Sequence, residues 1–113
     1  MNIKQVNAKN NKLLIFLSGE MDANGCSKIR PALEAITKQH QSHIVLDLSG
    51  ISFIDSSGIG AIVFLFKRLK EQQRSMGIIG VQGQPHELMT LLRIDSAIPL
   101  NSGQDQAVLS CML

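Results

Sequence analysis

The chain has 113 residues, of which 44% are hydrophobic, so it is long enough for one core and too apolar for a disordered tail. Eleven basic and nine acidic residues leave a net charge of +2, too weak to argue for nucleic acid or an anionic membrane, and without Tyr or Trp there is no base-stacking platform. Met1-Asn2-Ile3-Lys4-Gln5 lacks the basic-then-apolar layout of a signal peptide, and no apolar run reaches membrane-spanning length. Cys26 and Cys111 stand alone, without ligand or redox spacing. The expectation is one cytoplasmic domain, residues 1–113, with free thiols.

In chain order, Ile3–Val6 and Leu13–Leu17 are β-prone runs joined by an Asn-rich stretch, Asn7–Asn11, which predicts an opening hairpin. Ser18 to Gly25 then breaks the strand. Ile29, Ala32, Leu33 and Ile36 recur at helical spacing. If Ser27 caps that helix, Pro31 falls in its first turn and deletes no hydrogen bond. A regular helix is therefore expected from about Ser27, after an irregular Asn24–Cys26. Ile44-Val45-Leu46-Asp47-Leu48 reads as a strand, and a helix follows to about Arg74.

Within that helix Ile59, Ile62, Val63, Phe66 and Leu69 form the expected core stripe. Phe64 falls off it, beside Gly60, Lys67 and Arg68, and is either an interface anchor or covered by a neighbouring element. Met76–Val81 reads as a short buried strand. Gln84-Pro85-His86-Glu87 opens a further helix with Leu88, Leu91 and Leu92 on its inner face. Ala97–Leu100 is a candidate last strand. Ser102-Gly103-Gln104-Asp105 resembles a cap before a closing helix through Ala107, Val108 and Cys111. Strands alternating with helices after a hairpin imply an α/β fold on a mixed sheet.

Ser52-Phe53-Ile54-Asp55-Ser56-Ser57-Gly58-Ile59-Gly60 joins the Ile44–Leu48 strand to the following helix. Its hydroxyls lie where free backbone N–H groups open a helix and favour negative charge. A serine there can be a cap, an anion ligand, or the acceptor of a covalent phosphate. Other chemistries fail at this turn. A dinucleotide loop needs glycine at Val63, and there is no Gly-Lys-Ser or Gly-Lys-Thr phosphate loop. A nucleophilic Ser56 lacks a base, since His40 and His43 flank the far end of the strand and His86 opens a surface helix. No histidine has Cys or carboxylate partners at metal-ligand spacing. Asp22 and Asp55 are expected at one sheet edge, Asp55 as a turn residue accepting backbone N–H groups, and Asp47 within its strand.

Ile44 to Leu48 followed by Phe53-Ile54-Asp55-Ser56-Ser57-Gly58-Ile59-Gly60 resembles the signature of STAS domains, closest to bacterial anti-sigma factor antagonists. Ser18-Gly19-Glu20-Met21-Asp22 resembles that family's Gly-Glu-Leu-Asp turn, and the resemblance covers almost the whole chain. It implies a single STAS-like domain with helices packed on a mixed sheet. It also implies that Ser56, with Ser57 as alternative, is phosphorylated by a partner that is both anti-sigma factor and serine kinase. A PPM-type phosphatase reverses the mark, and ATP belongs to the kinase, so no cofactor and no catalytic residue is expected in this chain.

The partner surface implied is Asp22, Asn24, Asp55, Ser56, Ser57, Gly58, Gly60 and Phe64, with helix capping the expected role of Ser57. Gly25 and Cys26, where many relatives carry Thr and Ala, and Pro31 depart from the family pattern and bear on the shape of that surface. The alternatives are a phospho-switch with a non-sigma target and a structural subunit of a transporter. The latter has no need of an intact Asp55-Ser56-Ser57-Gly58. A monomer is expected when the chain is alone.

Overall fold

The computed structural model describes residues 1–101. Five strands form one sheet in sequential order: β1 Asn2–Ala8, β2 Lys12–Met21, β3 His43–Ile54, β4 Ser75–Ile79 and β5 Leu100–Asn101. β1 and β2 pair antiparallel; every later pairing is parallel. The hairpin is the expected one, and its turn explains the asparagines. Asn10 and Asn11 take φ of 63° and 59°, a left-handed region that Asn tolerates better than most residues.

Each parallel step is bridged by helix: α1 Ala23–Thr37, α2 Ser56–Glu71, and α3 Gly83–Leu91 with a 3₁₀ turn, Ile94–Ser96. Leu13, Ile15 and Leu17 alternate along β2, and Ile44, Leu46 and Leu48 along β3. They meet Ile29, Leu33 and Ile36 of α1, Ile62, Leu65 and Leu69 of α2, and Met89 of α3 in one core. Leu14, Val45 and Ile79 point the other way and cluster with Phe16 and Ala8. This is the α/β layering and mixed sheet expected of a STAS-like domain.

Several boundaries differ from the sequence-based expectation. β2 does not break at Ser18, and β3 does not stop at Leu48. The two run side by side to Met21 and Ile54, through register shifts between Phe16 and Ser18 and between Gly19 and Glu20. Those irregularities erase the period-two signal that marks a strand. α1 starts at Ala23 rather than Ser27, because Asp22 supplies the cap, and Pro31 lies inside the helix. Pro31 and Ser27 are both exposed, so the hydrogen bond that proline removes is on the solvent side.

α2 ends at Glu71, not Arg74, since Gln73 turns left-handed at φ 56°. Its core includes Leu65, which is 1% exposed and absent from the expected stripe, while Val63 is only half-buried. On α3, Leu88 is partly buried, but Leu91 and Leu92 are 78% and 50% exposed. The helix ends at Leu91 and Arg93 turns left-handed, so the inner face is carried by Pro85 and Met89 instead. The last strand begins at Leu100, since Ala97–Pro99 leave the 3₁₀ turn as irregular backbone that buries Ile98. The expected closing helix and the Cys111 thiol lie outside the described residues.

Candidate functional site

β2 and β3 finish together, Met21 opposite Ile54, and each is followed at once by an aspartate that caps the next helix. Asp22 Oδ1 accepts the Gly25 N–H at 2.7 Å. Asp55 Oδ1 accepts the N–H groups of Ser57 at 2.9 Å and Gly58 at 3.3 Å. Both aspartates take extended backbone, as a capping residue does. The two carboxylates thus stand at the same sheet edge, as expected, and each stabilises a helix start. Asp55, not Ser57, is the cap of α2, because the shorter reach from one residue outside the helix suits the N2 and N3 donors.

The turn is packed tightly from below. A Cβ on Gly58 would lie 2.4 Å from Ile54 Cγ1 and 2.6 Å from the Met21 carbonyl oxygen. One on Gly25 would lie 2.2 Å from the Glu20 carbonyl oxygen. Only glycine lets the two helices start this close to the strand ends. Gly60 is different: a Cβ there would meet nothing within 4 Å.

Ser56 is exposed at the first residue of α2, and its hydroxyl has no hydrogen-bond partner among the described residues. Ser57 is half-buried behind it. Ser56, Gly60 and Phe64 follow at successive helical turns, and Phe64 is 43% exposed with the Arg68 guanidinium 5.9 Å from its ring centroid. Between this row and α1 runs a groove of about 400 Å³, lined by Ser56, Ser57, Gly60, Ala61 and Phe64 from α2 and by Ala23, Cys26, Arg30, Leu33 and Glu34 from α1. Asn24 is exposed on the first turn of α1 and is not among the groove-lining residues.

Of the α1 wall, the sequence points only to Cys26. Cys26, Arg30, Leu33 and Glu34 recur at i, i+4, i+7 and i+8, but that spacing alone does not say which neighbour the face meets. Cys26 is buried at 6% exposure. Burial pushes its thiol pKa up, the Asp55 and Asp22 carboxylates push it further, and Arg30 opposes them. The thiol is therefore a neutral filler in the groove wall.

The remaining polar candidates lie apart. Asp47 accepts the Ser49 N–H at 2.8 Å and serves its own bend in β3. His43 begins β3, at the edge opposite the serine turn, and its Nδ1 is hydrogen-bonded to the Ser75 hydroxyl. His40 precedes it, and His86 is exposed on α3. The structure brings no histidine to Ser56. Among the described residues no helix is long and apolar enough to cross a membrane.

Comparison with known proteins agrees with this geometry. An anti-sigma F factor antagonist from Paenibacillus polymyxa is 30% identical over 97 residues, covering 85% of this chain and 83% of that protein. A solved anti-sigma factor antagonist from Mycobacterium paratuberculosis shares the fold at a TM-score of 0.81 and 19% identity, over 99% of this chain and 96% of that one. The Bacillus cell fate determinant SpoIIAA, solved in its phosphorylated form, shares it at a TM-score of 0.76 and 15% identity, over 99% and 100% of the two chains. Residues 4–107 match the STAS domain family, and this chain belongs to that family.

Proposed function

We propose that this protein is an anti-sigma factor antagonist that works by partner switching, as a cytoplasmic, monomeric substrate and binding module and not as an enzyme. Unphosphorylated, it binds an anti-sigma factor that is also a serine kinase and so frees the sigma factor. Phosphorylated on Ser56, it lets go, and a PPM-type phosphatase resets it. The observation that carries this reading is the exposed Ser56 hydroxyl, without a hydrogen-bond partner among the described residues and lining the groove. The relatedness to an anti-sigma F factor antagonist supports the output assigned to it.

The physics favours release without unfolding. A phosphate adds about −1.5 to −2 charges and three acceptor oxygens. At Ser56 it displaces no hydrogen bond among the described residues, so the fold survives. Asp55 Oδ1 already takes the Ser57 and Gly58 N–H groups, so the helix end has little left to neutralise the new charge. The phosphate therefore faces outward beside a carboxylate, and a partner surface complementary to a neutral hydroxyl meets repulsion and desolvation cost. About 4 kcal/mol of lost binding weakens affinity roughly a thousandfold. Gly60 and Phe64 complete the contact row: an exposed helical glycine with open space above it has no packing reason to be glycine.

The test combines phosphosite mapping with binding. The purified chain is incubated with the serine kinase encoded in its genomic neighbourhood and ATP, and phosphate is located by mass spectrometry. Phosphate on Ser56 is expected, with Ser57 as the alternative acceptor; its absence from both sinks the switch. Ser56→Asp is expected to release the kinase and Ser56→Ala to keep it. Equal affinity of the two variants contradicts release by charge. Phe64→Ala is expected to weaken binding with little change in Tm.

A further inference from the structure

β3 outruns β4. Their pairing covers His43–Asp47 and Ser75–Ile79 and goes no further, while β2 stays beside β3 to Ile54. The side of Ile54 that faces α3 therefore has no strand next to it. There the Gln84 side chain takes a strand's place. The Ile54 N–H donates to Gln84 Oε1 at 2.9 Å, and Gln84 Nε2 donates to the Ile54 carbonyl oxygen at 2.8 Å. One amide thus satisfies both peptide groups that a neighbouring strand would otherwise pair. From the other side the Asp55 N–H donates to the Met21 carbonyl oxygen at 3.3 Å.

The two residues that precede Ser56 are thus gripped from both edges. Ile54 is fully buried, so its N–H and C=O lose their partners if Gln84 is removed. Asp55 follows directly, and its carboxylate sets the start of α2. We propose that Gln84 is a positioning residue of the serine turn: by clamping the Ile54 peptide groups from α3 it fixes where Asp55, and through it the Ser56 hydroxyl, stands at the groove mouth. The geometric part is independent of what Ser56 does, while its effect on phosphorylation rests on the function proposed above.

Three variants test it. Gln84→Met keeps similar volume and loses both bonds. Gln84→Glu keeps an acceptor for the Ile54 N–H and loses the donor to its carbonyl. Gln72→Ala removes the 2.8 Å bond from Gln72 Nε2 to the Thr37 carbonyl and the 2.8 Å bond that Gln72 Oε1 accepts from Arg74 Nη1, both far from the serine turn, and controls for lost stability. Amide exchange by NMR is expected to speed up at Ile54 about tenfold or more in Gln84→Met and far less in Gln84→Glu. With the kinase used above, kcat/KM for Ser56 phosphorylation is expected to fall about tenfold in Gln84→Met, because a misplaced acceptor is a poor reactant, with Gln84→Glu between. Gln72→Ala is expected to lower Tm and change neither readout.

Unchanged Ile54 exchange in Gln84→Met overturns the clamp. Faster exchange with wild-type kcat/KM overturns the positioning role. A wild-type chain that no kinase phosphorylates defeats the proposed function instead, and the exchange measurement still decides the clamp.

Discussion

Gly58 and Gly60, two residues apart in α2, answer different demands. Gly58 sits where a Cβ would collide with Ile54 and with the Met21 carbonyl, so alanine must lift the helix start off the sheet edge. Gly58→Ala is expected to cost about 1–3 kcal/mol in urea unfolding. Gly60 faces open space, and an exposed helical glycine is about 1 kcal/mol worse than alanine. Gly60→Ala should therefore raise the unfolding midpoint and yet, under the proposed function, weaken binding to the partner. A gain in stability with full affinity would remove Gly60 from the partner surface. Cys26 shows the same separation of roles: its buried thiol, held neutral between two capping carboxylates, fills the groove wall where a small apolar side chain would also fit.

Among the elements, α1 is held at both ends by side chains. Asp22 and Asp55 cap the starts of α1 and α2. The far end of α1 is tied down by Arg74, which is 8% exposed and begins the approach to β4. Its Nε donates to the Gln41 carbonyl at 2.6 Å and its Nη1 to the Ile36 carbonyl at 3.1 Å. On the Ile36 carbonyl, in the last turn of α1, the guanidinium also meets the negative end of the macrodipole, which compensates part of its burial. Arg74→Met is expected to take the guanidinium donor from the Gln41 carbonyl, while the Ile36 carbonyl keeps the Gln39 N–H at 3.1 Å, and to cost about 1–3 kcal/mol. An unchanged denaturant midpoint would contradict that account. Because Arg74 lies at the edge opposite the serine turn, Ser56 phosphorylation should stay close to wild type under conditions where the variant is folded.

In the whole molecule the two edges of the sheet differ in chemistry. One carries the capped turns and the groove; the other carries Arg74, Gln41 and His43, which bind the loops between elements. Burial, and secondarily Lys12, hold the His43 pKa below its ordinary 6.5. A depressed histidine binds fewer protons folded than unfolded, so stability rises with pH through the interval from the folded pKa up to 6.5. Acidification below 6.5 is therefore expected to lower the urea midpoint, and His43→Gln to flatten that dependence. An identical pH profile in the variant would rule out His43 as its source.

The alternation of strands and helices, the hairpin and the serine turn at a strand-to-helix junction were all legible in the residues, since each depends on local periodicity, turn chemistry and capping. Asp55 as a turn residue and the distance of His43 from Ser56 followed from the same reading. Local pattern failed wherever a distant partner decided the outcome. The bulged halves of β2 and β3 are strand only because each has the other alongside. α1 begins early because Asp22 caps it, and its length carries Pro31 on the solvent side. Leu91 and Leu92 fit an inner stripe that the chain abandons when α3 ends. The groove wall of Cys26, Arg30 and Glu34, and the Gln84 clamp on Ile54 from thirty residues away, exist only once the helices are laid on the sheet. Sequence alone thus determined that two hydroxyls stand at a strand-to-helix turn, because a helix start is short-range; tertiary packing decided what surrounds them and what holds them still, because those contacts join segments that no local spacing links.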